Sequence, residues 1–194
     1  MKTLGELLSD IGCDAAVYEQ LLPLFRLQRM PRGMDLSLRR GSWDNLGIIS
    51  SGYLSGYFHH SFEDHTLCVL GPGKTLPPLN FSGGFPPDIF LESVTRVELY
   101  VLDINAVISL GPEMLSASLS LLMKSYDCII EELIFWASVS HLPRGESRFG
   151  GVVGHDELLV GGVPNDVLAS ATRLSLRHFM RIKNGEKKVF REKA

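Results

Sequence analysis

The chain changes its hydrophobic rhythm several times, and each change predicts a different kind of element. Over residues 14–30 the apolar side chains Val17, Leu21, Leu24 and Phe25 fall at helical spacing. Asp14 offers an N-cap and Pro31-Arg32-Gly33 a stop, so this segment predicts a helix. From Asp35 to Asp103 the runs become short and strand-like: Leu46–Ser50, Gly52–His59, Thr66–Leu70, Ile89–Leu91 and Val97–Leu102. Turn signals at Arg40-Gly41, Ser51-Gly52, Glu63-Asp64 and Gly71-Pro72-Gly73 divide them. Strands recurring with such punctuation predict an antiparallel sandwich or roll. The Pro- and Gly-rich stretch Pro77 to Pro87 predicts an irregular loop within it.

Gly111-Pro112 opens a second helical pattern. Leu115, Leu119, Leu122, Tyr126, Ile129, Leu133 and Trp136 follow one another at alternating steps of four and three. That spacing is the a/d seam of a heptad repeat, which wants a partner helix and so predicts a homodimer. The alternative is packing against the chain's own roll, and Ile130, Phe135 and Ala137 widen the apolar face enough for both. The break His141-Leu142-Pro143-Arg144-Gly145 ends the pattern. Glu146 to Val163 has weak helical character, because Gly150, Gly151 and Gly154 each cost about 1 kcal/mol relative to Ala.

From Pro164 to Lys183 two short helical patterns meet at a turn. Val167, Leu168 and Ala171 form the inner face of the first, and Leu174 lies in the turn. Ser175 caps the second, which turns Phe179 and Ile182 inward and Leu176, Arg177, His178, Arg181 and Lys183 outward. This arrangement predicts a helix-turn-helix. The pattern divides the chain into residues 1–110, an N-terminal helix and β-roll, residues 111–141, a dimerising helix, and residues 142–194, a helix-turn-helix unit.

Composition narrows the function classes. Of 194 residues, 45% are hydrophobic and 21% charged, which excludes a wholly disordered chain. The net charge of −3 alone argues against nucleic acid. Its distribution argues the other way: from Pro164 to Ala194, eight Lys or Arg stand against three acids. A basic end on an otherwise acidic chain suits a polyanion, or else serves solubility. Met1-Lys2-Thr3-Leu4-Gly5-Glu6 does not read as a secretory signal, and four charges interrupt the apolar stretch Leu115–Val139. Cys13, Cys68 and Cys128 are odd in number and widely spaced, which points away from a disulfide framework or metal spacing and towards a cytoplasmic protein.

Signs of catalysis are sparse. The chain carries no Gly-x-Ser-x-Gly elbow, P-loop or Rossmann fingerprint, so no catalytic residue, metal ligand or cofactor is assigned and the expectation is a protein that is not an enzyme. His59, His60 and His65 cluster with Glu63 and Asp64, the setting of a cupin-like metalloprotein. Adjacent His59 and His60 point to opposite faces of a strand, however, which weakens that alternative.

The whole pattern resembles the Crp/Fnr family of regulators over roughly residues 15–185. The motifs that carry the resemblance are Gly52-Tyr53-Leu54-Ser55-Gly56-Tyr57-Phe58 leading to Gly71-Pro72-Gly73, the strand Glu98-Leu99-Tyr100-Val101-Leu102-Asp103, the helix start Glu146-Ser147-Arg148-Phe149, then Glu157-Leu158-Leu159, Val163-Pro164, Leu168-Ala169 and Arg181-Ile182-Lys183. The resemblance implies an α+β fold: an antiparallel, jelly-roll-like β-roll of the cyclic-nucleotide-binding type, a long dimerisation helix and a small DNA-binding helix-turn-helix. It implies that Ser175, Leu176, Arg177, His178, Arg181 and Lys183 meet double-stranded DNA, as a homodimer on a pseudo-palindromic site. It also implies an effector pocket, for which Lys74, Leu76, Leu79, Phe81 and Phe85 are the candidates.

Two departures from the family stand out. Between Gly73 and Glu92 there is no Arg, so a cyclic phosphate would lack its guanidinium and the effector is expected to be some other small molecule. Arg173 occupies the turn position where the family usually has Gly, a conformation costing about 1 kcal/mol for a side chain. An alternative reading is an effector-binding or dimerisation module whose DNA-binding end has decayed.

Overall fold

The computed structural model describes residues 2–12, 19–36, 43, 45–60, 63–78 and 89–192. A short helix α1 (Leu4–Asp10) precedes everything foreseen from the apolar pattern. It exists because Thr3 and Glu6 form a reciprocal capping box, the Glu6 carboxylate accepting from the Thr3 amide at 2.6 Å. Its Leu7 and Leu8 are buried in a cluster with Leu46, Ile48, Leu102 and Ile104.

The helix expected over residues 14–30 is corrected by the structure. Helical backbone ends at Leu21, Leu22–Leu24 is a single 3-10 turn, and Arg26–Met30 is a strand, β1. Pro23 lacks the amide that a continuing helix needs. Pairing with a distant strand then outweighs the local spacing of Leu24 and Phe25. Asp14 and Val17 lie outside the described residues.

The remaining strands are β2 (Asn45–Ser51), β3 (Leu54–His60), β4 (Glu63–Leu70), β5 (Thr75–Leu76), β6 (Ile89–Ser93) and β7 (Val97–Asp103). They form a four-stranded sheet in the order β1-β7-β2-β5 and a three-stranded sheet in the order β4-β3-β6. All pairings are antiparallel, with Leu99 opposite Ile49 and Gly56 opposite Cys68 and Leu91. The inward positions of the two sheets (Ile49, Leu54, Leu70, Leu76, Val97, Leu99) fill the roll. Gly52 makes the β2–β3 turn at φ +82°, where a Cβ would lie 2.0 Å from the Arg96 carbonyl oxygen. The expected turn Arg40-Gly41 lies outside the described residues, as does most of Pro77–Pro87.

Helix α2 (Ile104–Ser109), capped by Asp103, leads to the long helix α3 (Pro112–His141). Four more helices follow: α4 (Gly145–His155), α5 (Glu157–Gly162), α6 (Asn165–Ala171) and α7 (Leu176–Glu192). One apolar cluster runs unbroken from the roll through Trp136 and Val139 of α3 to Phe149, Val152, Leu168, Phe179 and Ile182. Trp136 also donates its indole N–H to the Val69 carbonyl at 3.2 Å. The C-terminal helices are thus packed onto the roll through α3 and not merely tethered to it. Among the described residues no helix is long and apolar enough to cross a membrane.

The glycines of α4 differ in role. A Cβ at Gly151 would press on Val139 Cγ2 at 3.1 Å, so this glycine lets α4 approach α3. A Cβ at Gly150 or Gly154 meets nothing within 4 Å. Gly150→Ala and Gly154→Ala are therefore each expected to stabilise the chain by about 1 kcal/mol, whereas Gly151→Ala stabilises less or destabilises. Denaturant titration of the three variants checks this.

Candidate nucleic-acid interface

The connection between α6 and α7 is a tight turn built from backbone bonds. The amide of Leu174 donates to the Ala169 carbonyl at 2.8 Å, and that of Arg173 to Ser170 at 3.0 Å. Together they form a Schellman closure, which demands a left-handed residue after the helix cap. That residue is Arg173, at φ +52°, the position singled out from the sequence. Thr172 is buried and ties its hydroxyl to the Leu168 carbonyl at 2.7 Å.

Arg148 holds this turn from outside. Its Nη1 donates to the carbonyls of Thr172 and Arg173, each at 3.1 Å, and its Nε to the carbonyl of Leu142 at 2.6 Å. One guanidinium therefore joins the break after α3 to the turn before α7. The Glu146-Ser147-Arg148-Phe149 motif is thereby explained: Phe149 is buried against Phe179 and Arg148 satisfies three carbonyls.

Of the six residues assigned to DNA, the structure turns four outward. Ser175 caps α7, its hydroxyl accepting from the His178 amide at 3.3 Å, and is itself exposed. Leu176, Arg177 and Arg181 are exposed, and neither Arg forms an ion pair among the described residues. Arg177 and Arg181 stand one helical turn apart on the same face. The other two residues turn towards the protein. His178 is half-buried with its ring over Gly145, and Lys183 donates to the Val160 carbonyl at 2.6 Å and to Asn165 at 2.7 Å. Arg144 and Arg173 are exposed as well, and sequence reasoning did not place them with the interface.

The heptad positions of α3 divide in two. Leu122 and Trp136 are buried within the protomer, and Leu115, Tyr126 and Ile129 are half-buried. Leu119 and Leu133 are exposed, and they share an outer stripe with Met123 (63% exposed), Ile130 and Ile134 (61%). The a/d seam contributes residues to both stripes, so the apolar pattern alone could not separate them.

Of the candidate effector pocket, Leu79, Phe81 and Phe85 lie outside the described residues. Leu76 is buried in the roll. Lys74 is engaged by Glu132 of α3, a carboxylate only 3% exposed that also meets His155 Nε2 at 3.2 and 3.3 Å. His155 in turn stacks on Phe135, ring centroids 3.7 Å apart. Nearby, Thr75 donates its hydroxyl to the Ser125 carbonyl at 3.0 Å and Tyr126 donates to that of Pro78 at 2.6 Å. The turn after Gly71-Pro72-Gly73 is thus fastened along α3.

The histidines near the β3–β4 turn are separately occupied. His59 pairs with Asp64, and His65 stacks on Phe58. Among the described residues no three His, Cys, Asp or Glu are placed to hold a metal ion. Cys68 is fully buried, and burial pushes its thiol up to about 12.

No family model matches the chain, and no curated protein matches it. Solved structures do. The c-di-GMP responsive global regulator CLP of Xanthomonas campestris superposes with a TM-score of 0.60 at 16% identity, covering 90% of this chain and 92% of that one. A CooA mutant from Carboxydothermus hydrogenoformans gives 0.58 at 16% identity, covering 94% and 84%. A protein from Eubacterium rectale placed in the crp/fnr family of transcriptional regulators gives 0.54 at 12%, covering 90% and 83%. The chain has the α+β fold of the Crp/Fnr-type regulators, β-roll, long helix and helix-turn-helix included.

Arg148→Met strands three carbonyls and is expected to destabilise the chain by about 2 kcal/mol, while Arg173→Gly relieves the left-handed turn by about 1 kcal/mol; equilibrium unfolding reads both. Lys74→Met is expected to cost about 1–3 kcal/mol in the native chain and much less in a Glu132→Gln background. A double-mutant cycle checks that coupling.

Proposed function

We propose that this chain is a dimeric, DNA-binding transcription regulator. The observation that carries the reading is the pair Arg177 and Arg181, exposed on the outer face of α7 and without an ion pair among the described residues, beyond a closed helix-turn-helix connection. An Arg at each position can take guanine N7 and O6 bidentately in the major groove. Leu176 offers an apolar contact to a thymine methyl, and Ser175 a contact to phosphate. The CLP regulator, which has this fold, links cell-cell signaling to virulence gene expression, and that supports the same reading.

Two copies meet through the outer stripe of α3, Leu119, Met123, Ile130, Leu133 and Ile134. A two-fold axis along α3 would present two α7 helices to a pseudo-palindromic site, with half-sites about one duplex turn apart. The effector is a small molecule other than a cyclic nucleotide. The region from Gly73 to Glu92 has no Arg, and its one Lys, Lys74, is already committed to Glu132.

The inward turn of His178 and Lys183 favours a second reading, a dimerisation module whose DNA-binding end has decayed. Selection from random duplexes separates the two. The regulator reading expects a preferred sequence. It also expects Arg177→Ala or Arg181→Ala to cost about 1–3 kcal/mol of binding and to relax specificity at one position of each half-site. Binding with no sequence preference at low salt overturns it.

A further inference from the structure

Among the described residues Arg173 is the one non-glycine residue with a positive φ, at +52°. Glycine would close the same turn without the crowding that a Cβ brings to this conformation. What Arg adds is a guanidinium, and the turn delivers it to solvent. Arg173 is exposed and forms no ion pair among the described residues. The conformation is also held in place: Arg148 Nη1 takes the carbonyls of Thr172 and Arg173 at 3.1 Å each. Strain of this kind persists where the surroundings enforce it, and it gathers at working sites.

A second arginine reaches the same edge from another segment. Arg148 Nε holds the Leu142 carbonyl at 2.6 Å, so the break after α3 lies against the turn before α7. Two residues beyond Leu142 stands Arg144, exposed and also without an ion pair among the described residues. Its neighbour Gly145 packs on the first turn of α7, where a Cβ would lie 3.0 Å from His178 Cε1. Arg144 and Arg173 therefore both stand at the start of α7. Ser175 caps the helix there, and its first turn holds no acid.

A recognition helix enters the major groove by its N-terminal residues, while the helix before it crosses the backbone. The turn joining the two then lies at the edge of the groove, among phosphates. We propose that Arg173 and Arg144 clamp the phosphate backbone at the entry of α7, from two turns that Arg148 ties together. The clamp fixes position and leaves base reading to Arg177 and Arg181. It rests on the reading of α7 as the helix that enters a duplex, and it divides the work among these four arginines. Stability and binding then oppose each other at Arg173, because the residue that strains the turn is the one that holds the phosphate.

Affinity measured against salt concentration on the full chain tests this, with a mixed-sequence duplex and with the duplex recovered by selection. Arg173→Gly is expected to raise the unfolding midpoint and yet weaken binding to both duplexes alike. The loss is about three- to tenfold per bound protomer at low salt, and the slope of log K against log salt falls by about 0.9 per protomer. Arg144→Gln is expected to change binding in the same way without the gain in stability. Arg173→Lys keeps the charge and most of the slope. The proposal is overturned if either Arg173→Gly or Arg144→Gln binds both duplexes with the parent's affinity and slope. It is equally overturned if the loss is confined to the selected duplex, or if Arg173→Lys loses as much as Arg173→Gly. The two readings fail separately: a parent chain without sequence preference, whose slope on the mixed duplex still falls in Arg173→Gly, overturns the regulator and supports the clamp.

Discussion

A single buried carboxylate holds the three parts of this molecule in one arrangement. Glu132 sits in the middle of α3 and meets Lys74 from the roll on one side and His155 from the C-terminal helices on the other. Burying an acid is unfavourable unless its partners are in place. The roll, the long helix and α4 must therefore be docked together for the core to tolerate it. The apolar cluster from Ile49 to Phe179 supplies the bulk of the attraction, and the Glu132 contacts make it specific in register. Tyr53 marks the same seam from the other side: a Cβ at Gly162 would lie 2.4 Å from its ring.

This arrangement bears on how a signal could travel. The turn carrying Lys74 is fastened to α3 by Glu132, Thr75 and Tyr126, and Arg148 joins the end of α3 to the turn before α7. The roll near Lys74 is thus fastened to the middle of α3, and the end of α3 is fastened by Arg148 to the turn before α7, with the helix itself running between the two sets of contacts.

Much of the fold was legible in the sequence, and the failures have physical causes. The strands announced themselves through alternation and turn residues, and the long helix through its heptads. Residues 14–30 misled because Leu24 and Phe25 continue a helical spacing past Pro23, and nothing local reveals that Arg26–Met30 pairs with β7. Helix α1 was missed because its signal is a capping box rather than a long apolar period. In the candidate interface, Arg177 and Arg181 were legible because a helix face follows from spacing alone. The inward turn of Lys183 was not, since its acceptors Val160 and Asn165 come from α5 and α6. Likewise Lys74 looked available for an anion until Glu132, 58 positions along the chain, was seen to meet it.

The spacing of two α7 helices in the proposed dimer is the most direct test of recognition of a duplex. Spin labels at Asn184→Cys, in a chain with Cys13 and Cys128 replaced by Ser, would report it; buried Cys68 does not label. Dipolar spectroscopy on the duplex-bound protein is expected to show a distance between protomers near the pitch of B-DNA, about 34 Å. The absence of any coupling between chains, with the protein folded and the duplex present, would contradict the account.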